Sequence, residues 1–175
     1  MKHIATVALM FNLGVAGVYA QERPVKMTFS GTNVATMINL QPNTVTDEQH
    51  SAGNGTFGAF TFRELHADGS VAQQPSSGCS GPNFEVVAGA GVFRFQDGSL
   101  LIVTVKDGSG CINFAAGNAA LSVNYQITGG TGRFEGASGA LTYTYTHKPV
   151  LRNASNGIAL LALTGEIEGT VSVLR

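Results

Sequence analysis

Three phenols and one carboxylate stand where they could do chemistry. Leu121, Val123, Tyr125 and Ile127 alternate with polar residues in one run, and Leu141, Tyr143, Tyr145 and His147 do so in another. Every second residue of an extended chain points to the same side. If those sides face inward, Tyr125, Tyr143 and Tyr145 offer hydroxyls that could donate to a ligand's carbonyl or epoxide oxygen. The plainer and expected alternative is core tyrosines whose hydroxyls bond backbone or water. Glu64 follows Phe60 and Phe62 at the same spacing. In an apolar lumen its carboxyl would hold its proton more tightly and could act as acid or base. It also stands beside His66 and the Asp68-Gly69 turn signal, so the expectation is a solvated carboxylate at a strand end, because charged side chains are rarely buried.

Other chemistry is poorly represented. No Gly-x-Ser-x-Gly elbow, His-Glu-x-x-His pair, phosphate loop or dinucleotide fingerprint occurs in the sequence. His50, His66 and His147 are scattered along the chain and form no local metal signature, so neither metal nor cofactor is expected. Cys79 and Cys111 lie in the Gly/Ser-rich contexts SSGCSG and GSGCIN. In an oxidising compartment such a pair reads as one disulfide, whereas a metal site would need further ligands. Closing a loop of that size stabilises a fold by on the order of 3 kcal/mol.

The compartment follows from the start of the chain. Lys2 and His3 precede an apolar run from Ile4 to Val18, and Val18-Tyr19-Ala20 places small residues at −3 and −1. That pattern predicts a secretory leader over 1–20, cleaved after Ala20, and a mature domain over 21–175. The run is short of the roughly 20 residues a spanning helix needs, and no later stretch supplies one. The expected product is secreted or periplasmic. Charged residues make up 12% of the chain and the net charge is −1, with no basic stripe, so nucleic acid is not an expected partner.

The elements that must position these residues are strands. Val25, Met27 and Phe29 alternate with Lys26, Thr28 and Ser30; Thr56–His66 carries Phe57, Phe60 and Phe62; and GVFRFQ-DG-SLLIVTVK reads as a hairpin with an Asp97-Gly98 turn. Arg94, between Phe93 and Phe95, should point outward. Gln41–Asn54 reads as a polar loop, Gln73–Pro82 as a Pro/Ser/Gly loop, Asp107–Gly110 as a second turn, and Lys148-Pro149 as the stop of the strand that starts at Gly139. Ile158–Val173 is long enough for one bent strand or two, with Leu161, Leu163, Ile167, Val171 and Val173 on one face and Glu166 and Glu168 on the other. Seven or eight strands with no convincing helix make a sandwich or a closed barrel, and only the barrel removes sheet edges.

Between two of these strands lies ITGGTGRFEGASG, residues 127–139, with glycines at Gly129, Gly130, Gly132, Gly136 and Gly139. A strand follows it rather than a helix, so it reads as a corner and not as a phosphate loop. Arg133 and Glu135 lie two apart and are expected to make an exposed ion pair of little energetic consequence. ITGGTGRFEGASGAL, together with GVFRFQDGSLLIVTV before it, resembles the glycine-rich strand-turn-strand segment of the allene oxide cyclase and dirigent barrel superfamily, as found in small exported bacterial members. The resemblance spans about Gly89–Tyr145. It implies an all-β, eight-stranded antiparallel calycin-like barrel with an apolar lumen open at one end, in a superfamily whose members are often dimers or trimers. No catalytic residue is carried over, because those residues differ among its branches. The functional expectation is an exported barrel that binds a small apolar molecule without catalysis. Alternatives are a cofactor-free cyclase or isomerase using the lumen tyrosines and Glu64, and a structural envelope-associated protein.

Overall fold

The computed structural model describes residues 20–73, 78–155 and 157–174, so the leader expected over 1–20 lies, apart from Ala20, outside the described residues. Eight strands follow one another: β1 Ala20–Ala35, β2 Val45–Gly55, β3 Phe60–Asp68, β4 Asn83–Phe95, β5 Leu100–Asn113, β6 Asn118–Gly130, β7 Ser138–Arg152 and β8 Ile158–Leu174. Each pairs antiparallel with the next, and β1 pairs with β8 from Ala20↔Leu174 to Asn33↔Leu161, which closes the barrel. A barrel of eight strands has an interior just wide enough for side chains to fill. The outer wall carries charge, as in the Lys26–Glu168 pair at 3.1 Å and the Arg63–Glu48 pair at 3.0 Å. Arg94 is exposed, as its place between two phenylalanines predicts. Among the described residues no helix is long and apolar enough to cross a membrane.

The period-two expectation holds where the chain is apolar. Phe60, Phe62, Phe93, Phe95, Leu121, Val123, Tyr125, Ile127, Leu141, Tyr143 and Tyr145 all point into one core. The Asp97-Gly98 turn closes its hairpin with Phe95 N–H donating to the Ser99 carbonyl at 3.0 Å. Ile158–Leu174 is a single strand.

Four boundaries differ from expectation; the strand expected over Thr56–His66 begins only at Phe60, because Thr56 and Phe57 form the turn out of β2. Gln41–Asn54 is not wholly a loop, because β2 starts at Val45. Its inward residues include Asp47, Gln49 and Ser51, so it shows no apolar alternation, and its identity as a strand comes from the ladders to β1 and β3. Asp107–Gly110 lies inside β5 rather than at a turn. Gly110 serves close packing there: a Cβ would fall 2.2 Å from the Phe84 ring. Lys148-Pro149 does not end β7, which runs on to Arg152 through irregular pairing after Pro149, the kind of place where a strand tolerates proline.

One end of the barrel is sealed. The glycine segment forms a single 3-10 turn over Gly132–Phe134, and Phe134 plugs the floor against Phe57 at 5.2 Å and Phe95 at 4.8 Å. Arg133 does not pair with Glu135 as expected. Its guanidinium lies 4.8 Å over the Phe95 ring, donates to the Phe57 carbonyl at 2.6 Å and sits 3.3 Å from Asp97. The turn carries Arg133 back across the floor, where a ring face and a carbonyl lie within reach. Gly139 marks the step into β7: its φ is 128° and a Cβ would meet the Thr170 carbonyl oxygen at 2.2 Å, so only glycine fits without strain.

Candidate functional site: a polar chamber beneath an apolar mouth

Above the plug the lumen is solid. Phe62 stacks on Phe93 at 4.1 Å, Phe29 stacks on Tyr143 at 4.1 Å, and Tyr125 meets Tyr143 edge-on at 6.0 Å. Phe60 and Phe62 therefore fill the sealed half of the barrel. Tyr143 is satisfied within the protein: Gln49 Nε2 donates to its hydroxyl at 2.6 Å and Ser51 Oγ lies 3.2 Å away.

The upper lumen is polar, since the inward positions of β1, β2, β3 and β7 change character toward the open end. Phe29 gives way to Asn33, Ser51 to Gln49 and Asp47, Phe62 to Glu64 and His66, and Tyr145 to His147, all of them buried. Glu64 is 3% exposed, so the solvated strand-end expectation is overturned: the strand runs past it to Asp68, and Glu64 lies inside the wall. The Tyr125 hydroxyl donates to Glu64 Oε1, and the same oxygen lies 3.5 Å from His66 Nδ1. Asp47 stands directly across the ladder from His66, and Asp68 Oδ1 is 3.8 Å from His66 Nε2.

These groups titrate abnormally. Burial alone would lower the His66 pKa, but the charges of Glu64, Asp68 and Asp47 and the Glu64 contact outweigh it and raise it to about 9. Burial pushes Asp68 up to about 7 against the pull of His66. Asp47 is raised for the same reason, with His66 and Asn33 opposing. His147 moves the other way, to about 4, through burial and the nearby His66 charge. A neutral His147 accepts a long contact from the Asn33 amide at 3.5 Å. Burial also lifts Tyr125 and Tyr145 well above the usual phenol range, so both stay protonated.

Several buried polar atoms here have no hydrogen-bond partner: Asn33 Oδ1, Gln49 Oε1, Glu64 Oε2, Asp68 Oδ1, both His66 nitrogens and the Tyr145 hydroxyl. Each such group costs about 1–3 kcal/mol if left unmet, and a concentration of them in a native fold calls for a further partner. Over the chamber opens a pocket of about 310 Å³, whose floor includes Asp47, Asp68 and His147 and whose wall includes Phe84, Ile112, Phe114, Ile158 and Leu161. Met37, Ile38, Leu40, Val71, Val150 and Leu151 add exposed apolar surface on segments at this same end. The Cys79–Cys111 disulfide also lies here, tying the segment before β4 to β5.

All six side chains singled out for the lumen point inward, but none of them lines this pocket directly. Tyr125, Tyr145 and Glu64 belong to the chamber beneath it. Asp47, Asp68, Asn33 and Gln49 went unrecognised in the sequence. His66 and His147 continue the i+2 series of Phe60-Phe62-Glu64 and Leu141-Tyr143-Tyr145, and that continuation was the signal for them.

Fold and site together define a closed eight-stranded β-barrel, sealed at one end by aromatic residues, with a buried acidic and imidazole chamber beneath an apolar mouth. No protein-family model matches the chain, and no curated protein matches it. Among solved structures it is similar to the pterocarpan synthase dirigent protein GePTS1, with a TM-score of 0.43 and 13% identity over 94% of this chain and 98% of that one. A likeness of that strength carries nothing about activity.

Proposed function

We propose that this is an exported barrel whose open end holds a small, largely apolar molecule bearing a polar group, without catalysis. The observation that carries this reading is the apolar wall of the mouth set over buried hydrogen-bonding atoms that lack partners. The volume lies at the lower end of the roughly 300–1,000 Å³ usual for small-molecule sites, which combine apolar walls with a few placed polar groups. The sealed half of the barrel is too well packed to take part, so the ligand site is the mouth rather than the whole lumen. The leader pattern and the disulfide both support a secreted or periplasmic location.

Titration with the neutral fluorescent probe N-phenyl-1-naphthylamine tests it. A saturable rise at one site per chain is expected, lost in Leu161→Arg at the mouth and kept in Phe93→Leu in the packed half. An unsaturable signal, or equal loss in both variants, overturns the reading. Native mass spectrometry of protein taken from its own host would give the mass of the natural ligand.

One observation favours a second reading, a cofactor-free cyclase or isomerase: Tyr125 donates to Glu64 and His66 Nδ1 stands 3.5 Å from the same oxygen, three titratable groups side by side under the pocket. Tyr125 and His66 are buried with displaced pKa values, which is what acid–base catalysis uses. If the wild type converts a polyene or epoxide, Glu64→Gln should abolish turnover while probe binding at the mouth persists; full turnover in that variant rules out the acid–base role.

A further inference from the structure

Three carboxylates, Asp47, Glu64 and Asp68, surround His66 in a largely buried chamber, with His147 beside them and Arg152 lining the pocket above. Burying negative charge without compensation is expensive, and buried charges are normally paired or bound to metal. Asp47, His66 and Asp68 each bring a ligand atom within 4.8 Å of the others. His66 Nε2 and Asp68 Oδ1 are 3.8 Å apart and neither has a hydrogen-bond partner. That gap is too wide for a hydrogen bond, and it suits two donors of one cation, since metal–ligand distances of about 2.0–2.2 Å separate neighbouring donors by roughly 3–4 Å.

The surroundings supply what a ligating imidazole needs. Glu64 Oε1 lies 3.5 Å from His66 Nδ1, on the far side of the ring from Asp68, and it is itself held by the Tyr125 hydroxyl. A carboxylate behind a metal-bound histidine fixes the tautomer that leaves the other nitrogen free to ligate. Tyr145 is 3% exposed, its hydroxyl is unpartnered, and it feels the charges of Glu64, Asp68 and Asp47.

We propose that Asp47, His66 and Asp68 bind one divalent transition cation, with Glu64 orienting His66 and the remaining coordination position open to the mouth pocket. The cation takes the place of the His66 Nε2 proton and neutralises Asp47 and Asp68. One nitrogen and two carboxylates suit Zn²⁺ or Mn²⁺, whereas Mg²⁺ and Ca²⁺ prefer oxygen alone. Three protein ligands with a vacant fourth position is the pattern of a cation that meets a ligand or substrate. The assignment does not rest on the mouth binding an apolar molecule, and its test uses no such molecule.

Protein stripped with EDTA and dialysed is titrated with Zn²⁺ and with Mn²⁺ by calorimetry. One saturable site is expected for at least one of the two. Asp68→Asn should weaken it at least about tenfold and Glu64→Gln by about 10–100-fold. His50→Gln, which removes the exposed His50–Glu48 pair, should leave it unchanged. No saturable binding of either cation, equal affinity in Asp68→Asn, or loss in His50→Gln each overturns the proposal. Should Asp68→Asn fail to fold, nitrogen NMR of the wild type decides: whichever cation binds must shift (Zn²⁺) or broaden (Mn²⁺) the His66 Nε2 resonance and leave His50 in place, and an unmoved His66 resonance refutes the site.

Discussion

Raising the pH should destabilise the metal-free barrel chiefly through His66. In the folded state its pKa is about 9 against 6.5 for an unperturbed histidine. A pKa raised by folding means that the folded state binds the proton more tightly, so the stabilisation is fully present below about pH 6.5 and is lost as pH climbs through about 9. At about 1.4 kcal/mol per pH unit, the loss is on the order of 3 kcal/mol. Of the facing groups, Asp68 overlaps the low end of this window. Asp68, raised to about 7, gives up its contribution between about pH 4 and 7. His147, lowered to about 4, contributes above 6.5 and loses that contribution as pH falls toward 4. Asp47 is a raised carboxyl whose contribution likewise fades as pH rises from the acid side. The buried tyrosines lie above the usual phenol range. The assay is urea unfolding in EDTA, followed by far-ultraviolet circular dichroism, from about pH 6.5 to about pH 9.5. Wild-type stability should fall by about the stated amount more than that of His66→Gln, which cannot take the charge and keeps only the Asp68 part of the decline. A flat wild-type profile, or a parallel decline in both proteins, would show that the carboxylates do not hold the imidazolium as the geometry requires.

Further expectations concern packing, hydroxyls and the bridge. Tyr143→Phe should cost about 1–3 kcal/mol in urea unfolding, because the Gln49 amide loses its acceptor in a buried site. Tyr145→Phe, whose hydroxyl has no partner, should be neutral or stabilising; equal losses in the two variants would contradict the hydrogen-bond assignment. Replacing Cys79 and Cys111 together by Ala removes a link spanning 32 residues and should lower stability by about 3–4 kcal/mol, measured against the oxidised wild type. Gly139→Ala should lower it by at least about 1–3 kcal/mol, from an unfavourable φ and a Cβ against the Thr170 carbonyl; a melting temperature equal to wild type would mean the corner relaxes freely.

The sequence by itself determined the wall of this protein. Alternation is a local property of an extended chain, so Phe60-Phe62, Leu121–Ile127 and Leu141–Tyr145 announced both strand and inward face. Asp97-Gly98 announced its turn, and the glycines of 127–139 marked the corner before β7. The strand pattern left a sandwich or a closed barrel, and the resemblance carried by 127–139 favoured the eight-stranded barrel that the structure shows. The contents of the upper lumen were decided only in three dimensions. β2 offers no apolar pattern, and Asp47 meets His66 through a ladder register that neither segment encodes locally. Glu64 read as a solvated carboxylate because burial of a charge is improbable residue by residue. It became tolerable only when Tyr125, from a strand 61 positions away in sequence, and His66 supplied partners. Arg133 likewise chose Phe57, Phe95 and Asp97 over its near neighbour Glu135, since the 3-10 turn carried it across the barrel floor. Local periodicity is set by backbone geometry and survives in the sequence. The partners of a buried polar group are set by barrel closure and register, and they appear only once the ring of strands is complete.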